Sequence, residues 1–203
     1  MPRCIPSPRE GVLELKRQHG LAEREVEDIE IEIFDVAFPI DGGGEAGDKR
    51  TVRSKEDADH SLPYLIAVAL LDDDVMPAQL VPDRIHRTDV QELLRNILVR
   101  PSVEFSRRFP EELPFRLSLR LRDGQFLSVE KREYEGFTTN PHELGDEFQA
   151  LSEPHMTSSM QEQIAPPVGN LEAIEIRRLS DLLGQIKSAR LDREEGVLQY
   201  GSR

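Results

Sequence analysis

The chain has 203 residues, of which 37% are hydrophobic and 32% are charged, and its formal net charge is −13 at pH 7. This length suits one large domain, or one domain with an appendage. The negative charge argues against nucleic acid as a partner, because there is no basic surplus to neutralise phosphates. For the same reason, a site for a small anion would require a local cluster of basic side chains.

The cysteine content and the apolar runs of the chain bear on its expected location in the cell. Cys4 is the single cysteine, so an internal disulfide framework is excluded. The first residues contain no apolar stretch of signal-peptide length, and the longest apolar run, residues 65–71, is too short to cross a bilayer. We therefore expect a cytoplasmic protein with no membrane partner. A mitochondrial matrix location stays open for a eukaryotic chain.

The first third of the chain predicts two helices, a strand and a loop. An apolar stripe predicts a helix over residues 9–19, which Gly20 ends. Isoleucines alternate with glutamates in residues 28–34, which predicts a strand with one buried face. Residues 39–53 are rich in glycine without the spacing of a phosphate-binding motif, and they predict a loop. The almost wholly apolar run over residues 61–71 predicts a helix buried on all sides.

Three adjacent aspartates, residues 72–74, follow the buried helix. They favour a solvated helix end over a metal site, because no further ligand lies at a suitable spacing. Thr88 and Gln91 have the spacing of a capping box. Apolar residues then recur at helical spacing as far as Ile97, which predicts a helix over this stretch.

A hairpin is predicted next. Residues 115–121 alternate between apolar and polar side chains, and Asp123-Gly124 is a typical turn before a returning strand at residues 127–129. The arginines on the polar face could form an anion site, but pairing with Glu130 and Glu133 across the hairpin is favoured.

The last part of the chain is predicted to be helical. Helices are expected over residues 142–151 and 158–164, and Pro166-Pro167 should break the second of them. The elements together predict an α+β fold with a small antiparallel sheet and helices, followed by C-terminal helices. The predicted organisation is an α+β domain over residues 1–156, C-terminal helices over 157–187 and a disordered tail over 188–203.

One motif and the order of several others resemble a known family. Residues 58–64 read Ala-Asp-His-Ser-Leu-Pro-Tyr and lead into the apolar helix. Further segments in the family's order are Glu10-Gly11-Val12, Asp83-Arg84-Ile85, Asp123-Gly124, Asn140-Pro141 and Asn170-Leu171-Glu172. The chain thus resembles, over roughly residues 2–186, the C-terminal half of the MmgE/PrpD family. That family includes 2-methylcitrate dehydratase, cis-aconitate decarboxylase and related lyases and epimerases.

The resemblance implies a hydro-lyase that acts on a hydroxy di- or tricarboxylate, as in propionate metabolism by the methylcitrate cycle. It implies catalysis without a metal or organic cofactor, in a cleft toward a larger helical domain that we expect to be missing here. It points to Tyr64 as a substrate-facing hydroxyl and to His60 as a proton-transfer group. Asp59, Ser61 and Arg3 are expected to line the cleft. A separate helical-domain chain is an expected partner, and a homodimer stays open.

The chemistry of dehydration agrees with these residue types. A base must take a carbon-bound proton and an acid must protonate the departing hydroxyl, and histidine and tyrosine can serve in these roles. His60 could equally cap backbone groups, and Tyr64 could bury its ring for packing alone. Relatives carry a lysine just before the opening segment, whereas this sequence begins with Met1-Pro2. Where some relatives have a histidine, Pro8 is present.

Three functions remain open from the sequence. The first is the C-terminal part of a dehydratase-like lyase that is active only with a helical-domain partner. One wall of the cleft alone cannot hold the substrate against the catalytic groups. The second is a truncated and inactive binding or scaffold protein. The third is a part of a decarboxylase or an epimerase of the same family.

Overall fold

The computed structural model describes residues 8–44, 47–132 and 141–186. The chain divides into two compact units, Met1–Phe137 and Thr138–Arg203. Among the described helices, none is long and apolar enough to cross a membrane.

A four-stranded mixed sheet lies in the first unit. In chain order its strands are β1 (Val26–Ile33), β2 (Ile97–Pro101), β3 (Phe115–Leu121) and β4 (Phe126–Lys131). β1 pairs in parallel with β2 and antiparallel with β3, and β3 pairs antiparallel with β4. The predicted α+β class is confirmed, although the sheet is mixed and not purely antiparallel.

Alternating side chains give β1 one buried face, as the sequence predicts. Ile29, Ile31 and Ile33 are at most 1% exposed. Ile31 lies opposite Val99 on β2 and Leu117 on β3, so one apolar layer crosses three strands. Successive side chains of a strand point to opposite faces, and the intervening glutamates therefore lie on the other face of the sheet.

Helices cover the apolar layer of the sheet. In the first unit the described α-helices are α1 (Pro8–His19), α2 (Lys55–Asp59), α3 (Leu62–Asp72), α4 (Pro82–Ile85), α5 (Thr88–Leu93) and α6 (Val103–Arg108). α1 contacts α3, β3 and β4, and α3 also contacts β2. Residues 66–70 of α3 are fully buried, which confirms the prediction of a helix buried on all sides.

The prediction of a helix that continues through Ile97 is wrong. α5 ends at Leu93, a single 3-10 turn follows over Leu94–Asn96, and Ile97 begins β2. Ile97 and Val99 are buried while Leu98 between them is exposed, which is the alternation of a strand. The capping box is also absent, because Thr88 is the first residue of α5 and the cap position belongs to Arg87.

The three aspartates at the end of α3, residues 72–74, have three separate partners. Asp72 accepts hydrogen bonds from Arg84 at 2.6 and 2.8 Å. Asp73 adopts a left-handed backbone conformation with φ of 61° and pairs with Lys16 at 2.6 Å. Asp74 accepts a hydrogen bond from the backbone N–H of Val75 at 2.8 Å. This cluster therefore ends the helix and ties it to α1 and α4.

Ser61 caps the start of α3. Its Oγ accepts a hydrogen bond from the backbone N–H of Tyr64 at 3.0 Å and donates to the carbonyl of Lys49. The side chain is fully buried, so water cannot replace either bond. Ser61 thus joins the helix to the preceding loop.

Replacing Ser61 with alanine is expected to lower the free energy of unfolding by about 1–2 kcal/mol, because a helix cap and a second hydrogen bond are lost. Urea unfolding measures the change. Ser54 provides a comparison, because it caps α2 at a less buried position. Ser54→Ala should cost only about 0.5 kcal/mol, the low end for a cap. Equal losses for the two variants would contradict this account.

The polar face of the hairpin carries paired charges. Arg116 binds Glu130 across the hairpin at 2.8 Å and Glu32 of β1 at 2.8 Å. Arg120 pairs with Asp28 of β1. The predicted pairing with Glu130 is confirmed, and Glu133 lies outside the described residues.

The second unit contains α7 (Pro141–Ser152), α8 (Ser158–Gly169) and a further helix, α9, over residues 176–186. Gln161 of α8 is buried and donates hydrogen bonds to the carbonyl of Gln149 at 3.1 Å and to Oγ of Ser152 at 2.9 Å. These bonds tie α8 to the end of α7.

The expectation that Pro166-Pro167 breaks the second predicted helix is wrong. Both prolines lie inside α8, which continues to Gly169. Proline has no backbone N–H, so each of the two prolines removes one hydrogen bond of the helix. Both lie in the last turn of α8, where the helix ends within a few residues. The predicted domain limits at residues 156 and 187 stay predictions, and residues 188–203 lie outside the described part.

Candidate active site

The predicted site residues surround the start of α3. His60 lies between α2 and α3, and its side chain is 62% exposed. Its Nδ1 lies 3.5 Å from Oδ1 of Asp41, whose side chain is only 6% exposed. The structure therefore joins an accessible imidazole to a buried carboxylate, and we call Asp41 and His60 the acid–histidine pair.

The glycine-rich segment places Asp41 in this position. Asp41 belongs to a short π-helix over Phe38–Gly42, so the start of the stretch predicted as a loop, residues 39–53, is helical. A Cβ atom on Gly42 would lie 2.7 Å from the ring of Phe38 and 2.9 Å from Val99. Gly44 has a φ of 77°, which side chains rarely tolerate. Gly42 therefore allows close packing against Phe38 and Val99, and Gly44 allows the backbone to turn.

Two buried carboxylate oxygens lack a hydrogen bond near His60. They are Oδ1 of Asp41 and Oδ1 of Asp59, and neither has a hydrogen-bond partner among the described residues. Burial raises the pKa of Asp41, while the nearby imidazole of His60 acts in the opposite direction. Buried polar atoms are nearly always satisfied, so the unpartnered oxygen of Asp41 near the imidazole of His60, and that of the preceding residue Asp59, are features that often mark a functional site.

Replacing Asp41 with asparagine is expected to raise the unfolding temperature at pH 7. Burial raises the pKa of Asp41 above its ordinary value of 3.8, so the charged form is less favourable in the folded chain than in the unfolded chain. The contribution of Asp41 to the free energy of unfolding therefore falls as the pH rises from the ordinary pKa of 3.8 through the raised pKa of the folded chain. The gain should vanish below the ordinary carboxyl pKa, as thermal unfolding at several pH values will test.

An exposed aspartate provides the control for this variant. Asp35→Asn removes the same charge from the surface and should leave the unfolding temperature nearly unchanged. A decrease in stability for Asp41→Asn at pH 7 would show that the charged carboxylate stabilises the fold.

Tyr64 is fully buried in the first turn of α3. Its hydroxyl donates a hydrogen bond to the backbone carbonyl of Gln79, and burial raises its pKa to about 12. A substrate could reach this hydroxyl only after that bond opens, so the substrate-facing role stays a prediction. Ser61 holds the helix start, as described above, and Arg3 lies outside the described residues.

Sequence reasoning missed Asp41. A lone aspartate before a glycine run is common in loops, and only its burial beside His60 distinguishes it. A cavity of about 320 Å³ opens beside this segment, with Gly42, Gly43 and Pro63 in its wall. Among the described residues, no group of three or more His, Cys, Asp or Glu side chains is arranged to hold a metal ion.

The fold, the site and a family model together place this protein in a class, and the family model carries the assignment. A mixed sheet covered by helices carries an acid–histidine pair at the start of a buried helix. The family model of the MmgE/PrpD C-terminal domain matches residues 3–172, and the chain belongs to this family. No curated protein matches the chain.

Proposed function

We propose that this chain is the C-terminal part of a lyase that removes water from a hydroxy di- or tricarboxylate, in the manner of 2-methylcitrate dehydratase. Membership of the MmgE/PrpD family supports the class of reaction. The observation that carries the proposal is the 3.5 Å approach of the exposed imidazole of His60 to the buried carboxylate of Asp41. A helical domain, on the same or another chain, supplies the opposite wall of the cleft.

The acid–histidine pair has the arrangement of a positioned general base. Nδ1 of His60 faces Asp41, which leaves Nε2 to receive a proton from the substrate. When the 3.5 Å gap closes, the carboxylate accepts a hydrogen bond from Nδ1, orients the ring and stabilises the imidazolium that forms, as in other carboxylate–histidine pairs. His60 then takes the carbon-bound proton, and an acid protonates the hydroxyl that leaves as water.

The other predicted residues have supporting roles in this proposal. Asp59 is the last residue of α2, directly before His60, and its partly unpaired carboxylate lines the cleft in this proposal. Ser61 fixes the start of α3. Tyr64 donates a hydrogen bond to the substrate once its bond to Gln79 opens, and Arg3 attracts a substrate carboxylate.

The test is reconstitution of the chain with a family helical domain. The two proteins are mixed, complex formation is checked by size-exclusion chromatography, and the loss of water from 2-methylcitrate and citrate is followed by absorbance of the new double bond. We expect turnover by the complex and none by the chain alone. A stable complex that converts no hydroxy acid would contradict the proposal and favour an inactive binding protein.

Product analysis separates the other activities of the family. Carbon dioxide release would indicate a decarboxylase, and inversion of a stereocentre without water loss would indicate an epimerase. Either result would retain a proton-transfer role for the acid–histidine pair but replace the dehydratase.

A further inference from the structure

A second cavity in the first unit collects arginine side chains. Its volume is about 460 Å³, and Arg50, Arg53 and Arg95 lie in its wall together with Gln91 and Asp48. Nothing in the proposed reaction uses these side chains. The volume is within the range of small-molecule sites and is larger than one inorganic phosphate requires.

Gln91 holds the two sides of this cavity together. Its Nε2 donates hydrogen bonds to the carbonyl of Ile85 at 2.7 Å and to the carbonyl of Val52 at 3.3 Å. The second bond fixes the segment that carries Arg50 and Arg53 against α5. Arg95 follows Gln91 by about one helical turn, so it faces the same space.

Asp48 orients Arg50 within the wall. Its Oδ1 accepts hydrogen bonds from the backbone N–H of Arg50 at 2.9 Å and from Nε of the guanidinium at 3.0 Å. Asp48 and Arg50 also belong to the wall of the 320 Å³ cavity beside Gly42 and Pro63. The two cavities therefore adjoin, and neither wall includes Asp41 or His60.

The wall of this cavity is positively charged, whereas the whole chain is negatively charged. Three arginines and one aspartate line the cavity, in a protein with a net charge of −13. Asp48 binds the guanidinium of Arg50 through Nε and Nη2. Arg53 and Arg95 therefore supply the excess positive charge. The side chain of Arg95 makes no hydrogen bond or ion pair with any described residue. Asp57 accepts a hydrogen bond from the backbone N–H of Arg53 at 3.0 Å, and it does not belong to the wall. The wall itself therefore carries a net positive charge. Such a local positive field attracts small anions.

We propose that the arginine cavity binds a small polycarboxylate. A guanidinium presents a planar fork of donors that matches a carboxylate. Asp48 occupies the fork of Arg50. The forks of Arg53 and Arg95 suit two carboxylates of one ligand. The binding of an anion follows from the arginines alone, whereas the choice of a polycarboxylate rests in part on the proposed function.

Isothermal titration calorimetry of the full chain at low ionic strength tests the proposal. Citrate is the probe, and acetate and inorganic phosphate are the comparison anions. We expect citrate to bind more tightly than either. Arg53→Gln and Arg95→Gln should each raise the Kd for citrate about tenfold, the loss expected for one charged hydrogen bond. Arg24→Gln removes one exposed arginine outside the cavity and should change Kd less than about twofold.

Each alternative result overturns the proposal. Phosphate that binds as tightly as citrate would assign the cavity to phosphate. Equal effects of Arg24→Gln and Arg95→Gln would show a general charge effect, and absence of citrate binding would exclude the site. Because this assay needs no turnover, its failure and the failure of the lyase proposal are distinguishable.

Discussion

Replacing His60 with glutamine is expected to lower kcat of the reconstituted lyase by about a hundredfold to ten-thousandfold, the usual contribution of a positioned acid or base. Glutamine keeps a polar side chain but cannot carry a proton between substrate and solvent. The exposed position of His60 allows the substitution without disturbing the core. The rate of water loss and its pH profile are measured, and the pH dependence that reports the imidazole should disappear.

His86 provides the matched control for this variant. It is exposed, and its Nδ1 lies 2.8 Å from the carbonyl of Pro82, so it belongs to a helix end. His86→Gln should retain both kcat and the pH profile. A His60→Gln enzyme with normal kcat would remove His60 from the mechanism, whereas a changed KM with normal kcat would assign it to substrate binding.

Replacing Arg84 with glutamine is expected to lower the free energy of unfolding by about 2 kcal/mol, because the partly buried carboxylate of Asp72 loses its charged hydrogen-bond donor. Arg84 is 8% exposed. It binds Asp72 at 2.6 and 2.8 Å and Asp89 at 3.1 Å. The three residues connect the end of α3 to α4 and α5, and urea unfolding measures the loss.

The pH dependence of stability gives an independent test of Arg84. Its hydrogen bonds lower the pKa of Asp72 below the ordinary 3.8. The pair therefore stabilises the fold above that ordinary value, and this contribution is lost as the pH falls through the lowered pKa. Arg84→Gln should flatten this acid dependence. Arg87→Gln breaks only the exposed side of the cluster, at Asp89, and should cost less than about 1 kcal/mol.

The elements with strong local periodicity were predictable. The period of α1, the alternation of β1 and the turn after β3 depend on side chains two to four residues apart, which the sequence places directly. The start of α3 could also be located, because Ser61 and Pro63 are typical of a helix N-terminus.

β2 was not predictable from its own residues. Leu93, Leu94 and Ile97 continue a helical stripe, and nothing local distinguishes it from a strand. Pairing with β1 decides the conformation, since Ile97 lies opposite Ile29 and Val99 opposite Ile31. Tertiary contacts commonly override short-range patterns in segments of this length.

The sequence by itself determined the α+β class, the family resemblance and the position of His60 before a buried helix. Only the tertiary structure decided that Asp41 meets His60 and that Arg53 and Arg95 face one cavity. The physical reason is the range of the interactions. Periodicity reports neighbours along the chain, whereas these contacts join separate segments whose approach depends on backbone turns and on packing against the core.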